Sequence, residues 1–344
     1  IEFFAQTQLF LSLYLCNRIM QNFDILGLFS PLNLRLKLAY QQNLLNHPGQ
    51  DWESELPEAD EKQFISGLKE ILKLTGKELS RTVVPKNYRG TPWMVGFCDG
   101  SGQAVGAVVY VRYQLQDGTY AANLLTSKTK ISGLRNVSTP KAELLGCTLL
   151  INMMDYLIRN LEIHFERRIV LTDSTVVLGL IKKPYCMYDG QTGGRIDQIQ
   201  QMEKEHNLEF YHVPGEHNVA DMVTRHTSTV SDVLSERWTQ GGFLKKDFDG
   251  WPINKKIKLP EDLPGLRVLP SPISMNVLQL QGNEQLLQLK ENFNIKKYRS
   301  FTFVKSVIAR LLKWKYNKSD RLDLLKKAEM ILIKDASIEV KAVY

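Results

Sequence analysis

The chain has 344 residues, 43% hydrophobic and 24% charged, the make-up of an ordinary folded protein with material for about two domains. Its 44 Lys and Arg against 37 Asp and Glu leave a formal charge of +7, an excess that suits a polyanionic partner without requiring one. Four widely spaced cysteines, Cys16, Cys98, Cys147 and Cys186, exclude a Cys-x-x-Cys zinc ribbon or dithiol redox centre and fit buried thiols in a reducing compartment.

Residues 1–20 are apolar in patches, but Glu2, Gln6, Gln8, Asn17 and Arg18 interrupt the run and no basic stretch precedes it. This predicts a buried helix rather than a signal peptide or a membrane span. Ser30-Pro31 opens a second helix, with Leu32, Leu36 and Ala39 at helical spacing. After the polar break from Asn46 to Asp51, Glu61 to Leu79 carries another amphipathic pattern through Phe64, Leu68, Ile71 and Leu72. Val84-Pro85 and Thr91-Pro92 bracket a linker, so residues 1–91 read as a helical segment.

From Trp93 the period changes from helical to alternating. Met94 to Cys98, Ala104 to Tyr113 and Tyr120 to Thr126 predict three consecutive antiparallel strands, the last two joined by the hairpin signal Gln116-Asp117-Gly118-Thr119. Helices are predicted at 141–159, 175–181 and 195–205, with strands at 168–172 and 208–213. This order predicts an α/β domain over 92–227, a mixed five-stranded sheet flanked by helices. Residues 228–290 read as an extended appendix and linker. A last helical region falls within 291–344, so the tail is helical and extended.

Four acids stand where this order of elements brings them together. Asp99 ends the first strand, Glu143 lies in the first turn of the first helix of the domain, Asp173 ends the fourth strand, and Asp221 follows the last. Ends of adjacent central strands and the starts of the helices over them share one crevice. Taken singly, an Asp at a strand end is as readily a turn former or cap, and a Glu in a first helical turn serves the macrodipole. Together, four carboxylates in one crevice repel one another unless they share divalent cations. Magnesium, hard and octahedral, suits such a donor set, and two such ions cleave phosphodiesters by activating water and stabilising the leaving oxygen.

The segments Phe97-Cys98-Asp99-Gly100-Ser101, Thr139-Pro140-Lys141-Ala142-Glu143-Leu144-Leu145, Leu171-Thr172-Asp173-Ser174-Thr175 and Val213 to Asp221 resemble the ribonuclease H domain of BEL/Pao-type LTR retrotransposons. The resemblance implies an RNase H-like fold, two magnesium ions (manganese as a substitute) and hydrolysis of the RNA strand of an RNA–DNA hybrid. It implies that Asp99 bridges both ions, Glu143 and Asp173 complete one site, and Asp221 completes the other. Lys141 stands where the family usually carries Arg. The flanks resemble the same Pol polyprotein: Asn22 to Pro31 and Asp51-Trp52-Glu53 the connection after the reverse transcriptase palm, Trp238 to Pro252 the appendix after RNase H, and Tyr298 to Glu329 the spacer before integrase. Reverse transcriptase and integrase portions of that polyprotein are then the expected partners beside the hybrid. No membrane partner is expected, and the expected location is intracellular, in cytoplasm, virus-like particle or nucleus.

Other signals separate by chemistry. Tyr-x-Asp-Asp, Asp-Thr-Gly and Asp-Ser-Gly are absent from the sequence, so neither polymerase nor protease activity is expected. Gly100-x-Gly102-x-x-x-Gly106 reads as a tight turn between strands, not a dinucleotide loop. His217, four residues before Asp221, is a candidate for proton transfer or product release, or a plain loop histidine. Lys128, Lys130, Arg135 and Lys141 are candidate backbone contacts or solvated surface charge. Two rival functions remain: a catalytically idle, nucleic-acid-binding remnant, and an integrase or transposase on the same fold, which needs a late Glu where Asp221 stands.

Overall fold

Between Ala104 and Tyr113 nearly every residue is apolar, a pattern that a strand carries when both of its faces are covered. In the computed structural model this segment is β2 (Ala104–Leu115), set in an antiparallel meander between β1 (Tyr88–Gly100) and β3 (Tyr120–Ile131). β4 (Arg167–Thr172) pairs in parallel with β1, and β5 (Leu208–His212) in parallel with β4. The mixed sheet therefore runs β3-β2-β1-β4-β5, with five strands as expected. The structure describes residues 24–264 except 50–53, 81, 133–136, 255–258 and 261–262, together with 309 and 329. Two compact units divide the chain, Ile1–Val268 and Leu269–Tyr344. The helix expected in 1–20 and the helical region expected in 291–344 lie outside the described residues, apart from Ala309 and Glu329.

Seven α-helices are described: α1 (Ser30–Asn46), α2 (Glu58–Leu72), α3 (Thr139–Asn160), α4 (Thr175–Lys182), α5 (Gly190–His206), α6 (Val230–Leu234) and α7 (Glu236–Gln240). Several bounds differ from the sequence reading, each for a physical reason. β1 starts at Tyr88, where Thr91-Pro92 reads as a linker. Gly90, at φ +69°, and a register shift between Arg89 and Trp93 let Pro92, which has no N–H to give, sit inside the strand. β3 runs five residues further than expected because its polar end is satisfied: Thr129 Oγ1 donates to the Val223 carbonyl at 2.8 Å, and Ser127 Oγ to that of Gly27. α5 starts at Gly190, since the Asp189 carboxylate accepts from Thr192 N at 2.7 Å and outweighs three poor helix formers, Gly190, Gly193 and Gly194.

Helices α3, α4 and α5 cover one face of the sheet. Met94, Cys98, Ala107 and Val109 there meet Leu144, Cys147, Leu150 and Ile196, and the thiols of Cys98 and Cys147 are buried and free. The other face carries Val95, Phe97, Val108, Tyr110, Ile169 and Leu171. Its cover comes from Leu32 of α1, from the turn at Val219–Val223, and from the segment after residue 227. From Val230 to Gly250 that last segment is not extended. It forms α6, α7 and two 3-10 turns, and it buries Val233, Trp238, Phe243, Leu244 and Trp251 in the same core. Tyr110 Oη donates to the Trp238 carbonyl at 2.6 Å, and buried Arg112 donates to the carbonyls of Leu244 at 2.8 Å and Lys246 at 2.9 Å. Trp238 Nε1 in turn reaches the Leu28 carbonyl at 2.8 Å, which fixes the start of α1 to the same core. Among the described residues no helix is long and apolar enough to cross a membrane.

Candidate active site

The site begins with the register of two parallel strands. Cys98 of β1 pairs with Thr172 of β4, so the next residues, Asp99, still paired with Gly106 of β2, and Asp173, just past the end of β4, come side by side. Both follow residues of one face, Phe97 and Leu171, and both point toward the side covered by the 219–223 turn. Glu143 arrives from the opposite side, in the first turn of α3. Two glycines let that helix approach: a Cβ at Gly100 would overlap the Ala142 carbonyl, and one at Gly146 would overlap the main chain of Asp99. Asp221 lies on a 3-10 turn, Val219–Val223. This turn sits against β2 because Gly106 leaves room for Val223.

The structure thus brings the four acids to one end of the sheet, all of them half-buried. Glu143 is held above the ordinary carboxylate range by burial first, then by the charges of Asp173 and Asp99, against a lowering bond from Ser174. Burial also raises Asp173, followed by Asp99 and, more weakly, Asp221. Burial raises Asp221 as well, with Asp99 adding to it and Arg225 opposing. Each acid feels at least one other, so the cluster stores repulsion that a cation relieves.

Protein groups meet part of that demand. Ser174 Oγ donates to Glu143 Oε2 while accepting from Val177 N at 3.1 Å as the cap of α4. Thr224 Oγ1 donates to Asp99 Oδ2. Arg225 Nε pairs with Asp221 Oδ1 at 2.6 Å across one helical-type spacing. Asn218, fully buried, donates Nδ2 to the Cys98 carbonyl at 3.0 Å and accepts from Ala220 N at 3.1 Å. His212 Nε2 lies 3.1 Å from the main-chain oxygen of Asp173. Ser174, Thr224, Arg225 and Asn218 were not singled out in the sequence. Local signals for them exist: a Ser directly after a strand-end Asp, an Arg four residues beyond Asp221, and an Asn opening a turn.

The donor set, hard carboxylate oxygens from four separate elements, fits magnesium or manganese. Among the described residues, however, no group of three or more His, Cys, Asp or Glu side chains is gathered tightly enough to enclose an ion as it stands. Ser174, Thr224 and Arg225 each engage one oxygen of Glu143, Asp99 and Asp221.

The remaining candidates are more scattered. His217 is exposed, with Nε2 3.5 Å from Glu216 Oε1 and its ring edge-on to Phe243 at 6.2 Å. Lys128 and Lys130 are exposed on β3, and Lys141 is exposed in the first turn of α3, where its charge favours the ionised form of Asp189. Arg135 lies outside the described residues.

Residues 14–174 match the family described as the Pao retrotransposon-like RNaseH-like domain. The match spans α1, α2 and strands β1 to β4, and it includes Asp99, Glu143 and Asp173 but stops before β5 and Asp221. Among solved structures, the chain is similar to LC11-RNase H1 in complex with an RNA/DNA hybrid, at 18% identity over 42% of this chain and 100% of that one, with a TM-score of 0.29. It is similar to the N-terminal RNase H domain of a Mycobacterium tuberculosis protein, at 17% identity over 39% of this chain and 91% of that one, with a TM-score of 0.28. A foamy viral protease-reverse transcriptase in complex with double-stranded DNA matches at 16% identity over 58% of this chain and 38% of that one, with a TM-score of 0.23. None of the curated proteins matches the chain. Residues 14–174 are thus similar to a Pao retrotransposon-like RNaseH-like domain.

Proposed function

We propose that this chain hydrolyses the RNA strand of RNA–DNA hybrids with the help of divalent cations, as part of a retrotransposon polyprotein. The observation that supports this reading is the convergence of Asp99, Glu143, Asp173 and Asp221, from four separate elements, on one half-buried end of the sheet. Two magnesium or manganese ions, when bound, supply charge neutralisation at the scissile phosphate and a lowered pKa for the attacking water.

The chain's own residues prepare that site. Asp99, at the centre of the cluster, is the proposed shared ligand. Glu143 and Asp173 are proposed to complete one site with it and Asp221 the other. Ser174, Thr224 and Arg225 hold three of the carboxylates in place before cations arrive. Asn218 keeps the turn of Asp221 against the end of β1. His217, exposed on the neighbouring 3-10 turn, is proposed to carry a proton away from the site or to assist product release. Lys128, Lys130, Lys141 and Arg135 are proposed to meet the phosphate backbone, a mode of recognition with little sequence preference.

The test is cleavage of a labelled hybrid with magnesium by the wild-type chain and by Asp173→Asn. Loss of cleavage in the variant supports the proposal. Equal products from both, or from neither, overturn it. A second reading, a binding remnant without turnover, is favoured by the engagement of the acids with Ser174, Thr224 and Arg225. Hybrid binding without cleavage in either chain, at any magnesium or manganese concentration, decides for it.

A further inference from the structure

Strand β5 ends at His212, shortly before Pro214, which has no N–H to give to a ladder, and the chain then enters the 3-10 turn Gly215–His217. The last rung between β4 and β5 runs from Val213 N to the Thr172 carbonyl at 3.0 Å. Asp173 stands just past that rung, and its main-chain carbonyl is met by a side chain, His212 Nε2 at 3.1 Å. On the free edge of β5, Asn254 forms an antiparallel bridge with His212 and donates its N–H to the His212 carbonyl at 3.0 Å. Its side-chain Nδ2 lies 3.2 Å from His212 Nδ1.

These two ring contacts assign the proton. A main-chain carbonyl only accepts, so Nε2 carries the hydrogen; a side-chain NH2 only donates, so Nδ1 is bare. One neutral tautomer satisfies both partners, and Asn254 selects it. Asn254 is in turn placed by the appendix, since Trp251 is buried in the core beneath the sheet and Ile253 packs against the same cluster. The turn after β5 also approaches the acid itself: a Cβ at Gly215 would come to 3.3 Å from Asp173 Oδ2. A chain of contacts therefore runs from Trp251 through Asn254 and His212 to the main chain of Asp173.

We propose that His212 is a positioning residue for Asp173, held in its working tautomer by Asn254, so that the appendix helps to set cation affinity at the carboxylates. Residues behind a metal ligand fix its orientation, and here the hold is on the ligand's main chain. This inference rests on the cation-binding reading of the acids.

The experiment is a Mn2+ titration of the full chain followed by electron paramagnetic resonance, on the wild type, His212→Ala, His212→Gln and Asn254→Ala. His212→Ala should weaken Mn2+ binding about tenfold. His212→Gln, whose amide reaches the place of Nε2–H, should recover most of that loss, and Asn254→Ala should show a smaller loss in the same direction. The imidazole nitrogen-15 spectrum of the cation-free protein is the second readout: His212 should show a protonated Nε2 and a bare Nδ1, and Asn254→Ala should shift it toward a mixture of tautomers. In hybrid cleavage, the magnesium concentration for half-maximal rate should rise about tenfold in His212→Ala while KM for the hybrid stays unchanged. Wild-type Mn2+ affinity in a folded His212→Ala chain overturns the proposal. So does a proton on Nδ1 in the wild type, or a His212→Gln chain as weak as His212→Ala. Asn254 is exposed, so Asn254→Ala carries the test if His212→Ala does not fold, and an unchanged spectrum and affinity there also overturn it. A wild type that binds no Mn2+ removes the cation-binding reading and this proposal together, an outcome read from the parent chain alone.

Discussion

Asn218 donates its side-chain amide to the main-chain carbonyl of Cys98 at 3.0 Å, with none of its own surface exposed. Cys98 directly precedes Asp99, so a side chain from the far end of the domain holds the strand end that carries the first acid. The same side chain accepts from Ala220 N, which starts the turn of Asp221, and it favours the ionised form of Asp173. One amide thereby ties three acid-bearing segments. Asn218→Ala leaves the Cys98 carbonyl and the Ala220 N–H without a partner in a dry place, at a cost of about 1–3 kcal/mol. Urea melts check this. Asn218→Asp, of equal size, should cost more, because it adds a buried carboxylate beside four others.

Neutralising one acid should stabilise the protein while removing its activity. Burial and neighbouring charge raise Asp173 above its unfolded value. The sign follows: a raised carboxylate contributes stability that is complete below the unfolded pKa, near 3.9, and is lost as pH rises through the folded value. Without divalent cations, the melting temperature of Asp173→Asn should therefore exceed that of the wild type at neutral pH, by an amount equivalent to about 1 kcal/mol. The gap should close as pH falls to the ordinary carboxylate range. Saturating magnesium should also shrink it, by stabilising only the wild type. A gap independent of pH would contradict this account.

Three glycines near the site should respond differently to an added methyl group. At Gly100 and Gly146 a Cβ would overlap main-chain atoms across the α3–β1 contact, so Ala at either position should cost about 1–3 kcal/mol and displace Glu143 from Asp99. Gly102, in the adjoining turn, has nothing within 4 Å of a Cβ and no positive φ. Gly102→Ala should be neutral or stabilising by about 0.5 kcal/mol. Thermal melts and hybrid cleavage on the three variants separate a contact role from a turn role.

Trp238 is 1% exposed, 145 residues after Trp93 in the chain yet in the same face of the core. Trp238→Ala should cost about 3–5 kcal/mol, the range for emptying a large aromatic site. A chain ending at residue 227 should fail to fold, because Val233, Trp238, Phe243, Leu244 and Trp251 would no longer cover Phe97 and Tyr110. Circular dichroism of the shortened chain, compared with one ending at 264, tests this. A native spectrum for the shorter chain would show that the appendix is dispensable.

Much of the architecture was legible from local pattern. Alternation between Met94 and Thr126, the Asp117-Gly118 hairpin and the helical spacing from Leu144 to Met153 depend on neighbours two to four positions apart, and the element order follows from them. The positions of the four acids at element ends were legible for the same reason. Element limits were less so. Pro92 reads as a break until a bulge places it in a strand, and Gly193-Gly194 reads as loop until the Asp189 cap holds the helix together.

By itself, then, the sequence determined which segments are strands or helices and which acids end them, because those properties are written in short-range spacing. Tertiary structure alone decided that Asn218 meets Cys98, that Thr224 and Ser174 occupy two of the acids, and that residues after 227 close the core. Such pairings join positions tens to hundreds of residues apart, and strand register and helix packing select them from many that the local pattern leaves equally open.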